Sequence, residues 1–460
     1  MYIDSLNSPP IPTDPSEFAR WEHTRLRRRM LYGAWGDDLN KRVRKLIGNV
    51  RSEAQGTPDM SSNVFRAVVS QLAVLYDVPP IVGGSDELAA AVEEVGLWSL
   101  MTRVQRDTLG LRDMLLRVSI ANDGRLSYRP VFPDLVEATP FPDRPEQPIK
   151  LKEARKRDGR WCWDVFDLSD PAFPVYRVES SDGADLTLDY LGVESASGEN
   201  YPYKRADGSA FLPYSIYHAA ESATLWDTYE ARELIEGALN VGVLFSLFSH
   251  AMRSASWPQR WAVGVELGGA AYMDEDGDGV GRSAVVTDPA TVLMLRAAEE
   301  GIGGQPMIGQ WQAGADPLSM QEAIVAYERR VAAYAGLSGS DILRQSGDPR
   351  SGYAISVSRS AQREAQRRYE PMFRRADLYT LEISAAMLGL DVKRSDLAIT
   401  YAGIPLSVEE RKAEIDEIVA LLEAGLIDRA TAYQMRHPET GRDQALAAVE
   451  EIARVNRRII

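Results

Sequence analysis

The sequence predicts an α+β fold with separate helical and β-rich regions. Three observations carry that prediction. Long helical stretches cover residues 219–255 and, as two helices with a short loop between them, residues 317–388; a β-type block runs to about residue 216, and the tail from Ser407 to Ile460 is helical again. No internal repeat is present. With 460 residues and 45% hydrophobic content, the chain can bury cores in two to four structural units.

The first 15 or so residues, rich in Pro and Ser, read as an extended arm without a basic or apolar leader. Residues 16–52 read as helical, and their arginines and lysines read as a solvated or subunit-contacting surface. "NVFRAVVSQLAVLY" (63–76) has the apolar spacing of a buried helix, and a second helical stretch covers Ser85 to Leu116. In "LRVSIANDGRLSYRPV" two β-type runs meet at Asn122-Asp123-Gly124, a hairpin signal. "WCWDVFDL", "PVYRVES" and "LTLDYLGV" continue the strand-like texture.

Helix resumes from Ala219 to about Ala255, where Leu225, Trp226, Tyr229, Leu234, Ile235, Leu239 and Val243 recur at spacings of mostly three to five. The apolar run Gly237–Met252 is broken by Asn240, Ser246, Ser249 and His250. It is shorter than the ~20 residues of a membrane crossing, so a soluble protein is expected. A Gly-rich, strand-prone insert (257–316) follows. Then comes a helix with Pro317 in its first turn and Gly336 near its end. A polar loop leads to a long helix, from about Tyr353 to Leu388, that Pro371 should kink and whose apolar line runs through Tyr369, Met372, Phe373, Ala376, Thr380, Ile383 and Met387. The tail opens with a capping-box pattern, Ser407 and Glu410, and its first helix closes near Gly425.

Enzymatic signatures are missing. No P-loop, His-Glu-x-x-His or nucleophile elbow occurs, and the four histidines have no ligand spacing. Cys162, the single cysteine, lies between Trp161 and Trp163 with no nearby base in sequence. It reads as a packing residue in a reducing compartment. "YMDEDGDGVGRS" (272–283) imitates a calcium loop: counting Asp274 as position 1 puts Asp276 and Asp278 at 3 and 5 and Gly279 at 6. Position 12, where a bidentate Glu belongs, is Val285, and the flanks look strand-like, so a polar turn between strands fits better than a metal site. No catalytic residue, metal or cofactor is therefore assigned. The rival classes are a calcium-dependent binding or adhesion module built on 274–279 and a hydrolase with unpaired carboxylates.

The order of elements, more than any motif, resembles the portal proteins of tailed double-stranded-DNA bacteriophages, the head-to-tail connectors. The resemblance spans nearly the whole chain. Its phrases are "RRRMLYGAWGDDL", "NVFRAVVSQLAVLYDVPPIV", "LIDRATAYQMRHPETGRDQA" and, above all, the run from Leu318 to Leu388.

The resemblance implies a portal-type subunit. Residues 1–216 would be arm and α/β wing, 217–256 a stem helix and 257–316 a small α/β clip. Residues 317–337 would be the second stem helix, 338–352 the tunnel loop, 353–394 the long kinked wing helix and 395–460 a helical crown. About twelve copies would close a ring at one capsid vertex, assembled in the host cytoplasm and carried in the virion, with no membrane. The ring would pass double-stranded DNA without sequence specificity. It would dock the terminase large subunit and later a head-completion adaptor, and meet the major capsid and scaffolding proteins. Arg344, Gln345 and Arg350 would face DNA, and Asp274, Glu275, Asp276 and Asp278 would face docking partners. Leu225, Trp226 and Tyr229 would meet a neighbouring subunit, and Arg359, Arg363, Arg367, Arg368, Arg374 and Arg375 would pair with its acidic groups. A net charge of −15 suits a conduit, because every Lys or Arg on a phosphate adds grip and slows sliding.

Overall fold

The computed structural model describes residues 10–47, 58–229, 231–256, 259–263, 265–267, 295–297, 307–311, 316–337, 352–404, 408–437 and 441–459. In chain order the elements are α1 (Phe18–Tyr32), α2 (Gly36–Ile47), α3 (Val64–Leu72), β1 (Ile81–Gly83), α4 (Asp86–Glu94), α5 (Leu97–Leu111), β2 (Asp113–Ile120) and β3 (Leu126–Val131). The middle block holds β4 (Val136–Phe141), β5 (Arg144–Arg157), β6 (Arg160–Asp167), β7 (Val175–Ser180), α6 (Thr187–Leu191), β8 (Ala196–Ser197) and β9 (Tyr214–His218). Then come α7 (Arg232–Ser256), β10 (Gln259–Val263), β11 (Val265–Leu267), β12 (Leu295–Ala297), β13 (Met307–Trp311), α8 (Pro317–Tyr334) and α9 (Gly352–Met387). The chain closes with β14 (Ala398–Thr400), α10 (Val408–Glu423), α11 (Arg429–Arg436) and α12 (Arg442–Ile459). Helices and antiparallel sheets are mixed, the α+β class the sequence predicts.

The chain divides into two units. The first holds residues 15–68 and 229–335 with the start of the arm; the second holds 69–228 and 336–460 with residues 12–14.

In the first unit, Gly33 takes a left-handed φ of 80° and lets α1 turn into α2. Asn63 caps α3, its Oδ1 accepting from Arg66 N at 2.9 Å. The basic helix α1 is not a solvated face: Arg20, Arg25, Arg27 and Arg28 are buried. The short segment before α1 folds back to supply an acceptor, since Arg25 donates to the Pro10 carbonyl at 2.6 Å. Arg25 also lies 5.3 Å from the centre of the Trp21 ring, and Arg29 grips Asp38 of α2 through two bonds of 2.7 and 2.9 Å. Periodicity records which residues are basic, not that local carbonyls and carboxylates let them enter a core.

The second unit is a sandwich. One sheet has the order β3-β2-β9, the other is the meander β4-β5-β6-β7-β8, and every pairing is antiparallel. Leu115, Val131 and Tyr214 from the first sheet interleave with Val136, Leu151, Phe166 and Tyr176 from the second. The hairpin at Asn122-Asp123-Gly124 forms as the sequence predicts, with Gly124 at φ 82° and Ile120 opposite Leu126. β2 starts at Asp113, so the preceding helix ends earlier than Leu116. "LTLDYLGV" folds as the short helix α6, not a strand, closed by left-handed Gly192. β14 pairs with β1 in a separate two-stranded sheet. The tail is helical as expected; Ser407 lies outside the described residues.

Residues 219–228 are not helical, and α7 starts only at Arg232. Polar contacts within the second unit explain the difference. Asp113 accepts from Asp227 N at 2.8 Å, and Arg112 holds the Asp227 carboxylate at 2.6 Å. Ala219 N bonds back to the Arg112 carbonyl at 2.8 Å. These bonds occupy backbone groups that a helix would need for its own ladder.

Candidate assembly surfaces

Two features present extended surfaces: a pair of helices with β-ribbons between them, and a long helix packed on the sandwich.

The pair is α7 and α8. A β-carbon at Gly237 would stand 2.7 Å from Val331, and Asn240 Nδ2 donates to Tyr327 Oη at 3.2 Å. Successive positions on α7 therefore meet earlier positions on α8, so the helices run antiparallel. The Gly237 and Gly242 sites, with no side chain, let α7 approach α8 and Trp35 respectively. Leu234, Ile235, Leu239 and Val243 are buried, as the predicted stripe requires. Asp316 caps α8 by accepting from Leu318 N at 3.1 Å, Pro317 takes the first turn, and Gly336 follows at φ 75°.

Polar side chains fix the pair to the rest of the first unit. Ser62 donates to the buried Glu328 at 2.8 Å, Ser246 accepts from Asp59 N at 2.8 Å, and Arg42 pairs with Glu236 at 2.7 Å. α7 is long and apolar enough to cross a membrane by length and composition, but half of that window is already buried in this chain. Beyond the helices, β10 pairs with β13 and β11 with β12, both antiparallel, so two ribbons connect the end of α7 to the start of α8.

α9 is anchored through Asp377. Tyr76 and Tyr217 donate to its carboxylate at 2.6 and 2.8 Å, and Tyr401 donates as a third. Burial still dominates and pushes the Asp377 carboxyl up to about 6. Ser215 bonds the Ala376 carbonyl at 3.0 Å and Tyr128 meets Ser384 at 2.8 Å. Of the predicted apolar line, Tyr369, Phe373, Ala376, Thr380 and Ile383 are buried and Met372 and Met387 half-buried, and Pro371 lies inside the helix on its exposed side.

The sandwich below carries a second buried network. Arg117 bridges Glu153 at 3.1 Å and Asp164 at 2.6 Å, Arg129 holds Glu153 at 2.6 Å, and Tyr214 donates to Glu153 at 2.7 Å. Burial alone would raise the Glu153 carboxyl, but Arg129 and Arg117 outweigh it and hold it down at about 2. Sequence inspection missed both networks because their members are scattered along the chain. The one local signal was the pair of glycines, Gly237 and Gly242, in an apolar helix, which marks close packing.

The predicted site residues are placed unevenly. Leu225 is 4% exposed and Trp226 packs on the sandwich core, so both find partners within their own chain. Tyr229 is 51% exposed and stacks one face on His23 at 5.6 Å. Burial, with Arg27 and Arg232 nearby, lowers the His23 imidazole to about 4. Asp274, Glu275, Asp276, Asp278, Arg344, Gln345 and Arg350 lie outside the described residues. Among the described residues no group of three or more His, Cys, Asp or Glu side chains is arranged to hold a metal.

No family model and no curated protein matches the chain. Solved structures do. One is the neck of a native GTA particle computed with C12 symmetry, at 13% identity over 81% of this chain and 88% of that one, TM-score 0.45. Another is the virion of a native gene transfer agent (GTA) particle, at 13% identity over 94% and 97%, TM-score 0.44. The neck of an empty GTA particle computed with C6 symmetry matches at 12% identity over 94% and 97%, TM-score 0.46.

Proposed function

We propose that this chain is the subunit of a portal ring, a non-catalytic conduit for double-stranded DNA at one vertex of a phage-type capsid. The observation that carries the reading is the antiparallel pair α7 and α8, joined beyond their ends by the β10–β13 and β11–β12 ribbons. A long helix pair capped by a small β element is the stem and clip that the sequence resemblance implies. In a closed ring each subunit offers two different faces to its two neighbours. The sandwich and α9 then form the wing, α10–α12 the crown, and residues 338–352 the tunnel loop, with Arg344, Gln345 and Arg350 at the DNA phosphates. Asp274, Glu275, Asp276 and Asp278 face the terminase and then the adaptor. Tyr229, half exposed where Leu225 and Trp226 are covered, is the member of that trio available to a neighbouring subunit. Assembly in the host cytoplasm, a place in the virion, and contacts with capsid and scaffolding proteins complete the reading.

Negative-stain imaging of the purified chain tests this. Rings with a central hole are expected; a compact monomer at high concentration overturns the proposal.

A further inference from the structure

The long helix α9 and the tail helix α10 carry outward faces of opposite sign. On α9, Glu364, Arg367, Arg368, Pro371, Arg374 and Arg375 are all exposed and recur at spacings of three and four, which makes them one stripe. The helix has six arginines against Glu364, Glu370, Glu382 and the buried Asp377. Its internal pairs, such as Arg368 with Glu364 at 3.3 Å, are solvent-exposed and contribute little. Arg367 has no ion-pair partner among the described residues.

On α10, six acidic residues stand against Arg411 and Lys412. Glu414 pairs with Arg436 at 3.0 Å, while Asp416, Glu417 and Glu423 have no ion-pair partner among the described residues. Ile415 and Val419, one turn apart beside Asp416 and Glu423, are 45% and 43% exposed, while Ile418 is turned inward.

We propose that the arginine stripe of α9 in one copy docks on the face of α10 in the next copy that carries Asp416 and Glu423 and is edged by Ile415 and Val419. This rests on the ring reading and names the surfaces that close it. The two patches differ and complement each other, the requirement of a head-to-tail contact. Phosphate would neutralise the arginines but could not cover Ile415 and Val419. The stems of long arginine side chains can.

The test is a charge swap in the full-length chain, with assembly followed by sedimentation and imaging. R367E/R368E and D416R/E423R alter exposed positions, and circular dichroism checks that each folds. Each pair alone should raise the concentration needed for rings by about 10-fold or more, and the four substitutions together should restore it to within about threefold of wild type. Rings that form in wild type and are indifferent to either swap, or a combination no better than its parts, overturn this inference and leave the ring reading standing. So does an arginine variant that assembles normally but loses duplex-DNA affinity. A wild-type chain that never assembles overturns both.

Discussion

The indole of Trp35 lies directly on Gly242 of α7: a β-carbon there would stand 2.8 Å from Trp35 Cη2 and 3.1 Å from Leu39 Cδ1. Trp35 and Leu39 are fully buried, so neither can retreat cheaply. Gly242→Ala should gain about 1 kcal/mol of helix propensity but lose about 1–3 kcal/mol to overpacking. The expected net result is a lower Tm, read by thermal unfolding.

Glu153→Gln removes the charge that the buried Arg117 and the half-buried Arg129 share. It should destabilise the chain by about 3–5 kcal/mol, because Arg117 stays buried with less compensation. In wild type the depressed carboxyl contributes stability that is fully present above its ordinary value, about 4.3, and is lost as pH falls through about 2. Denaturant midpoints for wild type and variant should therefore converge across that acid window.

Asp377 has the opposite sign. Its carboxyl is raised, so the native state holds a proton that the unfolded chain releases between about 3.9 and 6. Stability from this group is greatest at low pH and falls as pH rises through about 6. Relative to Asp377→Asn, wild type should gain stability between pH 7 and pH 5. A pH-independent difference between the two would count against this account.

Cys162 is 2% exposed, and burial pushes its thiol up. A thiol reagent should label the native chain far more slowly than the chain in denaturant, where one thiol per chain reacts.

Legibility in the sequence followed locality. α8 could be read because Pro317, Gly336 and the apolar spacing lie within one helix, and the Asn-Asp-Gly hairpin because its turn chemistry is local. The apolar line of α9 was equally plain. What failed depended on distant partners. Residues 219–228 look helical until Asp113 and Arg112 take their backbone and carboxylate groups. The Tyr76–Asp377 bond joins residues 301 positions apart, beyond any window of sequence reading.

That separation also sets an order of events during synthesis. β1 and Tyr76 emerge early, yet their partners β14 and Asp377 follow only after the intervening residues 229–335 of the other unit. At about 5–20 residues per second, that insert alone delays the second unit by about 5–20 s. Through that interval the early strand and the sheet face that receives α9 are open to other chains being made nearby. The chain thus has its riskiest moment before its second unit is complete, and the arrival of α9 ends it.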